Sequence, residues 1–181
     1  MRNIVLVAAF GLLALGVASA AKADQLQKPW SIQVGATWPW QSQAQNDEGK
    51  TTLNAGVDYA FNKSGRRTPT VSGAYFDYSG GSNNSNYLYT YGVGVDLRTY
   101  AGRPAGDNAS GATPYYGAGI GVYSINDKDS GTSDNSVSVG GKIFAGLEFT
   151  GSYYAEVGVQ FLPSSNGADP SNLGVDVGLR F

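Results

Sequence analysis

Leu173-Gly174-Val175-Asp176-Val177-Gly178-Leu179-Arg180-Phe181 alternates without a break. Leu173, Val175, Val177, Leu179 and Phe181 are apolar; the residues between them are glycine or charged. Successive side chains of a strand point to opposite faces, so the pattern predicts a β-strand with one wholly apolar face. Five apolar side chains in a row need a large apolar surface to lie against. In a water-soluble domain that surface is a core; in a membrane it is lipid. The nine residues leave that choice open.

The same pattern recurs along the chain, each time followed by a stretch rich in Gly, Asn, Ser, Asp or Pro. Eight segments are predicted: Trp30–Trp38, Thr52–Phe61, Thr70–Tyr78, Tyr87–Tyr100, Pro114–Ser124, Ser136–Phe149, Ser152–Leu162 and Leu173–Phe181. Each carries one apolar face, such as Trp30/Ile32/Val34/Ala36/Trp38 or Tyr116/Ala118/Ile120/Val122. The segment from Thr70 is ambiguous, because Ala74/Phe76/Tyr78 and Val71/Gly73/Tyr75 compete for that face. The opposite faces hold Asp58, Asp96, Arg98, Lys142, Glu148, Glu156, Asp176 and Arg180, interleaved with many glycines. Glycine weakens an exposed strand and is favoured where space is tight. A narrow closed lumen explains it, and eight strands enclose an interior just wide enough for side chains.

Aromatic residues sort to the ends of the apolar faces. Trp30, Tyr59, Phe61, Tyr116, Phe149, Tyr153 and Phe181 fall at one end, and Trp38, Tyr87, Tyr89 and Phe161 at the other, joined by Phe76 and Tyr78 if the segment from Thr70 turns that face outward, with aliphatic residues between. Two aromatic girdles around an aliphatic band are what a membrane barrel presents to lipid. Roughly ten residues rising about 3.3 Å each, tilted about 45°, cover a band about 25 Å tall.

The N-terminus reads as a secretory leader. Arg2 supplies the positive charge, Ile4–Val17 the apolar stretch, and Ala18-Ser19-Ala20 or Ala21-Lys22-Ala23 the cleavage motif. The apolar run is about 14 residues, short of the roughly 20 that span a bilayer as a helix. Residues 1–23 are therefore expected to be a signal peptide cleaved after Ala20 or Ala23, with 24–181 a single domain. Cleavage after Ala23 removes Arg2 and Lys22 and no acid, moving the net charge from −2 to −4. That argues against nucleic acid as a partner. The chain has no cysteine and no histidine, which removes Ser-His and Cys nucleophile chemistry and His-ligated metals.

Leader, eight segments and the Leu173–Phe181 ending together resemble the small eight-stranded outer-membrane barrels of the OmpA/OmpX type. The resemblance covers the whole expected mature length. It implies an all-β, eight-stranded antiparallel up-and-down transmembrane β-barrel in a bacterial outer membrane. The partners it implies are membrane lipid and lipopolysaccharide, the barrel-assembly machinery acting on the C-terminal strand, and any surface ligand held by the extracellular loops. It transfers no catalytic residue and no cofactor. Barrels of this size that cleave or transfer acyl groups rely on histidine, so no enzyme is expected here. The function expected is structural or surface-interactive, with a lumen filled by the inward charges. A narrow channel for ions or small solutes stays open, as does a secreted soluble β-sandwich or lipocalin-like binder.

Within that frame Lys142 and Asp176 are expected near mid-height, Asp58 and Glu156 below them, and Arg98, Glu148 and Arg180 toward the inner mouth. Pro39–Thr51, Ser79–Asn86, Ile125–Asn135 and Pro163–Ser171 are expected to be flexible outer loops. Asp127-Lys-Asp-Ser-Gly131 has half the oxygen ligands of a calcium loop and is expected to be solvated. Gly117-Ala-Gly-Ile-Gly121 lacks the spacing of a nucleotide-binding loop. Lys63, Arg66 and Arg67 are expected in an inner turn, and Trp38-Pro-Trp40 in the outer girdle.

Overall fold

The computed structural model describes residues 28–64, 68–83, 86–102, 111–129, 132–149, 153–164 and 169–181. The expected leader, Arg66, Arg67 and the Thr150-Gly151 turn lie outside them. Eight strands follow in order: β1 (Trp30–Pro39), β2 (Thr52–Ser64), β3 (Thr70–Asn83), β4 (Asn86–Tyr100), β5 (Thr113–Asp129), β6 (Thr132–Glu148), β7 (Tyr153–Phe161) and β8 (Asn172–Arg180). Each pairs antiparallel with its neighbour in sequence, and β1 also pairs with β8, so the sheet is a closed up-and-down barrel. Val34 sits opposite Ala55 on one side and Val177 on the other. Trp30 and Phe181 exchange backbone hydrogen bonds of 3.0 and 2.8 Å at the seam. Closure removes the unpaired edges that an open sheet of these strands would expose.

The alternation decides which face points out. Val34, Leu53, Ile120, Val139, Ile143 and Val177 are exposed on the outer wall, while Asp58, Asp96, Arg98, Glu148 and Arg180 are buried inside. An aliphatic wall around a charged interior is the reverse of a soluble core. In β3 the ambiguity is settled by register: Phe76 lies between Val57 and Val93 on the outside, and Tyr75 between Asp58 and Gly94 on the inside. Both candidate faces of β3 are apolar, so its own alternation carried no contrast.

Three expectations are corrected. The described residues of the expected loops 79–86 and 125–135 are strand: β3–β4 and β5–β6 continue as ladders to Asn83↔Asn86 and Asp129↔Thr132. Hydrophobic alternation stops where the apolar surroundings stop, whereas backbone hydrogen bonding does not need them. Asp127 is accordingly not a solvated loop residue but a buried one on β5. The third correction is a helix, α1 (Ser42–Glu48), inside the expected 39–51 loop. Seven residues are too few to hold a helix alone, so docking must stabilise it. Ala44 packs fully buried against Leu88 and Ile125, which point inward at the end of the barrel far from the chain termini. Gln45 Nε2 donates to the Pro39 carbonyl (2.8 Å), Asn83 Nδ2 to the Asn46 carbonyl (3.1 Å) and Asn86 Nδ2 to Asp47 Oδ1 (3.1 Å). One alanine among polar residues gives no periodic signal, which is why sequence reading missed it.

Candidate functional site

Among the described residues, the lumen gathers charged and aromatic side chains from β2 to β8, with the polar Ser31, Gln33 and Thr37 from β1. At the end carrying the termini, Arg180 Nε lies 3.4 Å from Glu148 Oε2, and the Tyr100 hydroxyl donates to the same oxygen at 2.8 Å. Arg180 Nη2 donates in turn to Tyr100 Oη at 3.3 Å. Tyr115 donates to Glu156 Oε2 at 2.8 Å. Around these groups Ala60, Val71, Tyr100, Tyr115, Phe144 and Tyr154 pack as an apolar ring.

Above this layer Arg98 bridges two acids. Its Nη2 lies 3.1 Å from Asp58 Oδ1 and its Nε 2.9 Å from Asp96 Oδ2, all three being buried. Ser31 Oγ donates to the second Asp58 oxygen at 3.1 Å, and the guanidinium carbon stands 5.3 Å over the Phe144 ring. Burying three ions costs several kcal/mol each unless each is paired and hydrogen-bonded, and this fork geometry supplies that pairing. Higher still, Lys142 Nζ binds Asp77 Oδ2 at 2.9 Å and stands 3.6 Å over the Tyr75 ring. The Tyr75 and Tyr123 hydroxyls share a 2.8 Å hydrogen bond. Between these groups and β8 remains a polar cavity of about 50 Å³, lined by Gln33, Asn54, Asp77, Lys142, Glu156 and Asp176 among others. It has room for a few water molecules.

Each of the eight inward residues read from the sequence thus has a definite place. Asp58, Asp96 and Arg98 meet; Glu148 meets Arg180; Glu156 meets Tyr115 rather than a base; Asp176 lines the cavity beside it, across the β7–β8 register. Lys142 is joined to Asp77, a residue the sequence reading did not name. The ambiguous phase of β3 hid Asp77, and with it Tyr75.

Also unforeseen were the inward rings Tyr100, Tyr115, Tyr123, Phe144 and Tyr154. The glycine-lined face was their signal. A Cβ on Gly117 would fall 2.6 Å from Phe144 Cε2, one on Gly146 2.6 Å from Tyr115 Cζ, and one on Gly94 2.6 Å from Tyr75 Cζ. At each of these glycines a Cβ would meet both a ring from another inward position and, nearer still, a carbonyl oxygen of the neighbouring strand. The lumen is narrow, as the glycines suggested, because large rings fill the space that the glycines leave.

The girdle residues are distributed as follows. Trp30, Trp38, Tyr116, Phe149, Tyr153, Phe161 and Phe181 are exposed on the outer wall. Tyr59 is half-buried beneath Trp30, with ring centroids 4.6 Å apart. Phe61 sits at a register shift between Ala60 and Asn62 and is only partly exposed. Trp40 meets Phe161 edge to face at 5.8 Å. Gly117–Gly121 is ordinary strand, and Lys63 belongs to β2 rather than to a turn.

A family model described as outer membrane protein beta-barrel domain matches residues 10–181. Comparison with curated protein sequences yields no match. Among solved structures, the N-terminal beta-barrel domain of Pseudomonas aeruginosa OprF is similar over 86% of this chain and 98% of its own, with 16% identity and TM-score 0.53. Neisserial surface protein A is similar over 84% and 97%, with 14% identity and TM-score 0.54. The outer membrane enzyme PagL is similar over 84% and 97%, with 16% identity and TM-score 0.55. At these identities the likeness shows the fold.

Proposed function

This chain belongs to the outer membrane protein beta-barrel domain family, and from that premise we propose a non-conducting, non-catalytic outer-membrane barrel whose role is structural or surface-interactive. The observation that carries the proposal is the filled lumen. Arg98, held between Asp58 and Asp96, and the ring of Tyr100, Tyr115, Phe144 and Tyr154 occupy the cross-section below the 50 Å³ cavity. At the far end Ala44 of α1 closes over Leu88 and Ile125. With the interior occupied, the surfaces left for function are the lipid-facing wall and the extended β3–β4 and β5–β6 hairpins.

The end carrying both termini faces the periplasm in this proposal, which puts the extended hairpins outside the cell, where barrels of this class carry their longer connections. Residues 1–23 act as the cleaved leader, and Phe181 closes the inner girdle. PagL is an enzyme on a similar fold, but this chain has no histidine to serve as a base, and fold alone does not transfer activity.

Planar-bilayer recording tests the proposal. The refolded wild type is expected to show no steady single-channel steps at moderate voltage. A narrow ion path is the second reading. Among the described residues, seven inward acids (Asp58, Asp77, Asp96, Asp127, Glu148, Glu156, Asp176) face three inward bases (Arg98, Lys142, Arg180), so any conducting state should prefer cations. Reproducible cation-selective steps that change with Lys142→Ala would replace the filled barrel by that channel.

A further inference from the structure

Four tyrosines form a ladder on the outer wall, and it runs beyond the aliphatic band. Tyr78 and Tyr91 lie directly opposite each other with ring centroids 5.3 Å apart. Tyr78 stacks on Tyr89 at 6.2 Å, and Tyr89 on Tyr87 at 5.3 Å. The register makes this possible: Tyr89 faces Gly80 and Tyr87 faces Ser82, so no large side chain on β3 covers their rings. Gly80 has φ +147°, and a Cβ there would come within 2.8 Å of Tyr89 Cδ1, so the Tyr89 ring lies down over the glycine.

On the other flank β5 and β6 turn polar groups outward at the same level. Asn135 Nδ2 donates to Asn126 Oδ1 at 2.6 Å, and Ser124 Oγ to Asn135 Oδ1 at 3.5 Å. These bonds use only part of the donor capacity of the two amides. Lys128 sits opposite Tyr87 with its ammonium 6.0 Å from the ring centre. Among the described residues of β3–β6, it is the single charged side chain that alternation places on the outer wall.

A membrane girdle needs aromatics at the edge of the hydrocarbon. Tyr91 and Tyr78, adjoining Val93 and Phe76, serve that purpose. Tyr89 and Tyr87 stand about 7 and 13 Å farther along the strand, beyond the reach of that explanation. Aromatic faces beside open amides and one cation match a phosphorylated sugar. The C–H face of a pyranose lies on rings, its hydroxyl edge meets amides, and a phosphate meets an ammonium. The ladder faces sideways, continuous with the lipid-facing wall, and not toward the hairpin tips. What it meets is therefore a molecule of its own leaflet.

We propose that Tyr78, Tyr87, Tyr89 and Tyr91, with Asn126 and Lys128, form a lateral binding surface for the phosphorylated core oligosaccharide of an outer-leaflet glycolipid. This rests on the membrane orientation proposed above. The test uses the full-length barrel in nanodiscs of phosphatidylethanolamine and phosphatidylglycerol, immobilised and titrated with rough lipopolysaccharide or with lipid A, which lacks the core oligosaccharide. The wild type should retain the core-bearing glycolipid about tenfold more tightly than lipid A. Tyr87→Ala with Tyr89→Ala should abolish that preference, Lys128→Gln should weaken it about threefold, and Tyr116→Ala at the other end should leave it unchanged.

Equal retention of both glycolipids by the wild type would overturn the proposal, as would a double variant that keeps the preference. So would free core oligosaccharide binding as tightly as the intact glycolipid, since the occupant would then come from outside the leaflet. Heat-modifiable gel migration of the same samples reports folding separately. A folded barrel indifferent to the saccharide overturns the sugar surface alone. Wild-type protein that stays monomeric in buffer without detergent overturns the membrane reading, and the proposal with it.

Discussion

Arg98→Ala is expected to lower the unfolding free energy of the barrel by about 3–5 kcal/mol, the cost of leaving a buried charge uncompensated. The guanidinium is the group that neutralises Asp58 and Asp96 together, from 3.1 and 2.9 Å, at a depth where all three are nearly inaccessible. Its removal leaves two carboxylates facing each other in the interior, with Ser31 the remaining donor to Asp58 among the contacts described above. Arg98→Lys should recover only part of the loss, because a point charge on a flexible stem cannot reproduce the fork. A triple change, Arg98→Met with Asp58→Asn and Asp96→Asn, should recover most of it, since replacing the whole set costs less than orphaning part of it. Urea midpoints from tryptophan fluorescence in micelles, with the gel shift as a second probe, provide the measurement. A loss below about 1 kcal/mol for Arg98→Ala would mean that the triad behaves as a solvated surface pair.

The second large effect is steric. Gly178→Val should cost about 3 kcal/mol or prevent folding, and Gly178→Ala about 1–3 kcal/mol, the range for overpacking a filled interior. A Cβ at Gly178 would collide with the Tyr154 ring, and the nearest atoms it meets all belong to that one side chain. The seat is therefore specific, and Tyr154→Leu should relieve it. Tyr154→Leu alone should destabilise by about 2 kcal/mol through lost packing, and it also loses the 3.1 Å hydrogen bond to Gln33. In the Gly178→Ala background the same change should be nearly neutral, giving a coupling of about 2 kcal/mol in a double-mutant cycle. Additive losses would show that glycine is needed at 178 for the strand itself and not for the ring.

These two sites mark how far the sequence could be read. Arg98, Asp58 and Asp96 were recognisable as inward from alternation alone, because each sits in a segment whose other face is uniformly apolar. Apart from Arg98 and Asp96, two residues apart on β4, which acid meets which base was not, because pairing across the lumen depends on side chains from strands that are not neighbours. β2 and β4, which supply Asp58 and Arg98, are separated by β3. Gly178 was recognisable as inward and tight, but its cause, Tyr154, lies on β7 and becomes visible only through the β7–β8 register. Asp77 was missed because β3 is apolar on both faces, so its phase is set by Phe76 packing between Val57 and Val93. The outer hairpins were cut short because periodic hydrophobicity marks contact with an apolar phase, while the ladders continue on backbone hydrogen bonds alone.

The sequence by itself determined the strand number, the apolar face of most strands and the list of most inward charges. All of these follow from a period of two, which is local and needs no knowledge of neighbours. Only the tertiary structure decided that the sheet closes into a barrel, that the lumen is packed with tyrosine rings seated on glycines, that Lys142 pairs with Asp77, that a short helix covers the far mouth and that four tyrosines stack on the outer wall. Each of these depends on register or docking between distant segments, and the energy that fixes it arises only when the sheet closes.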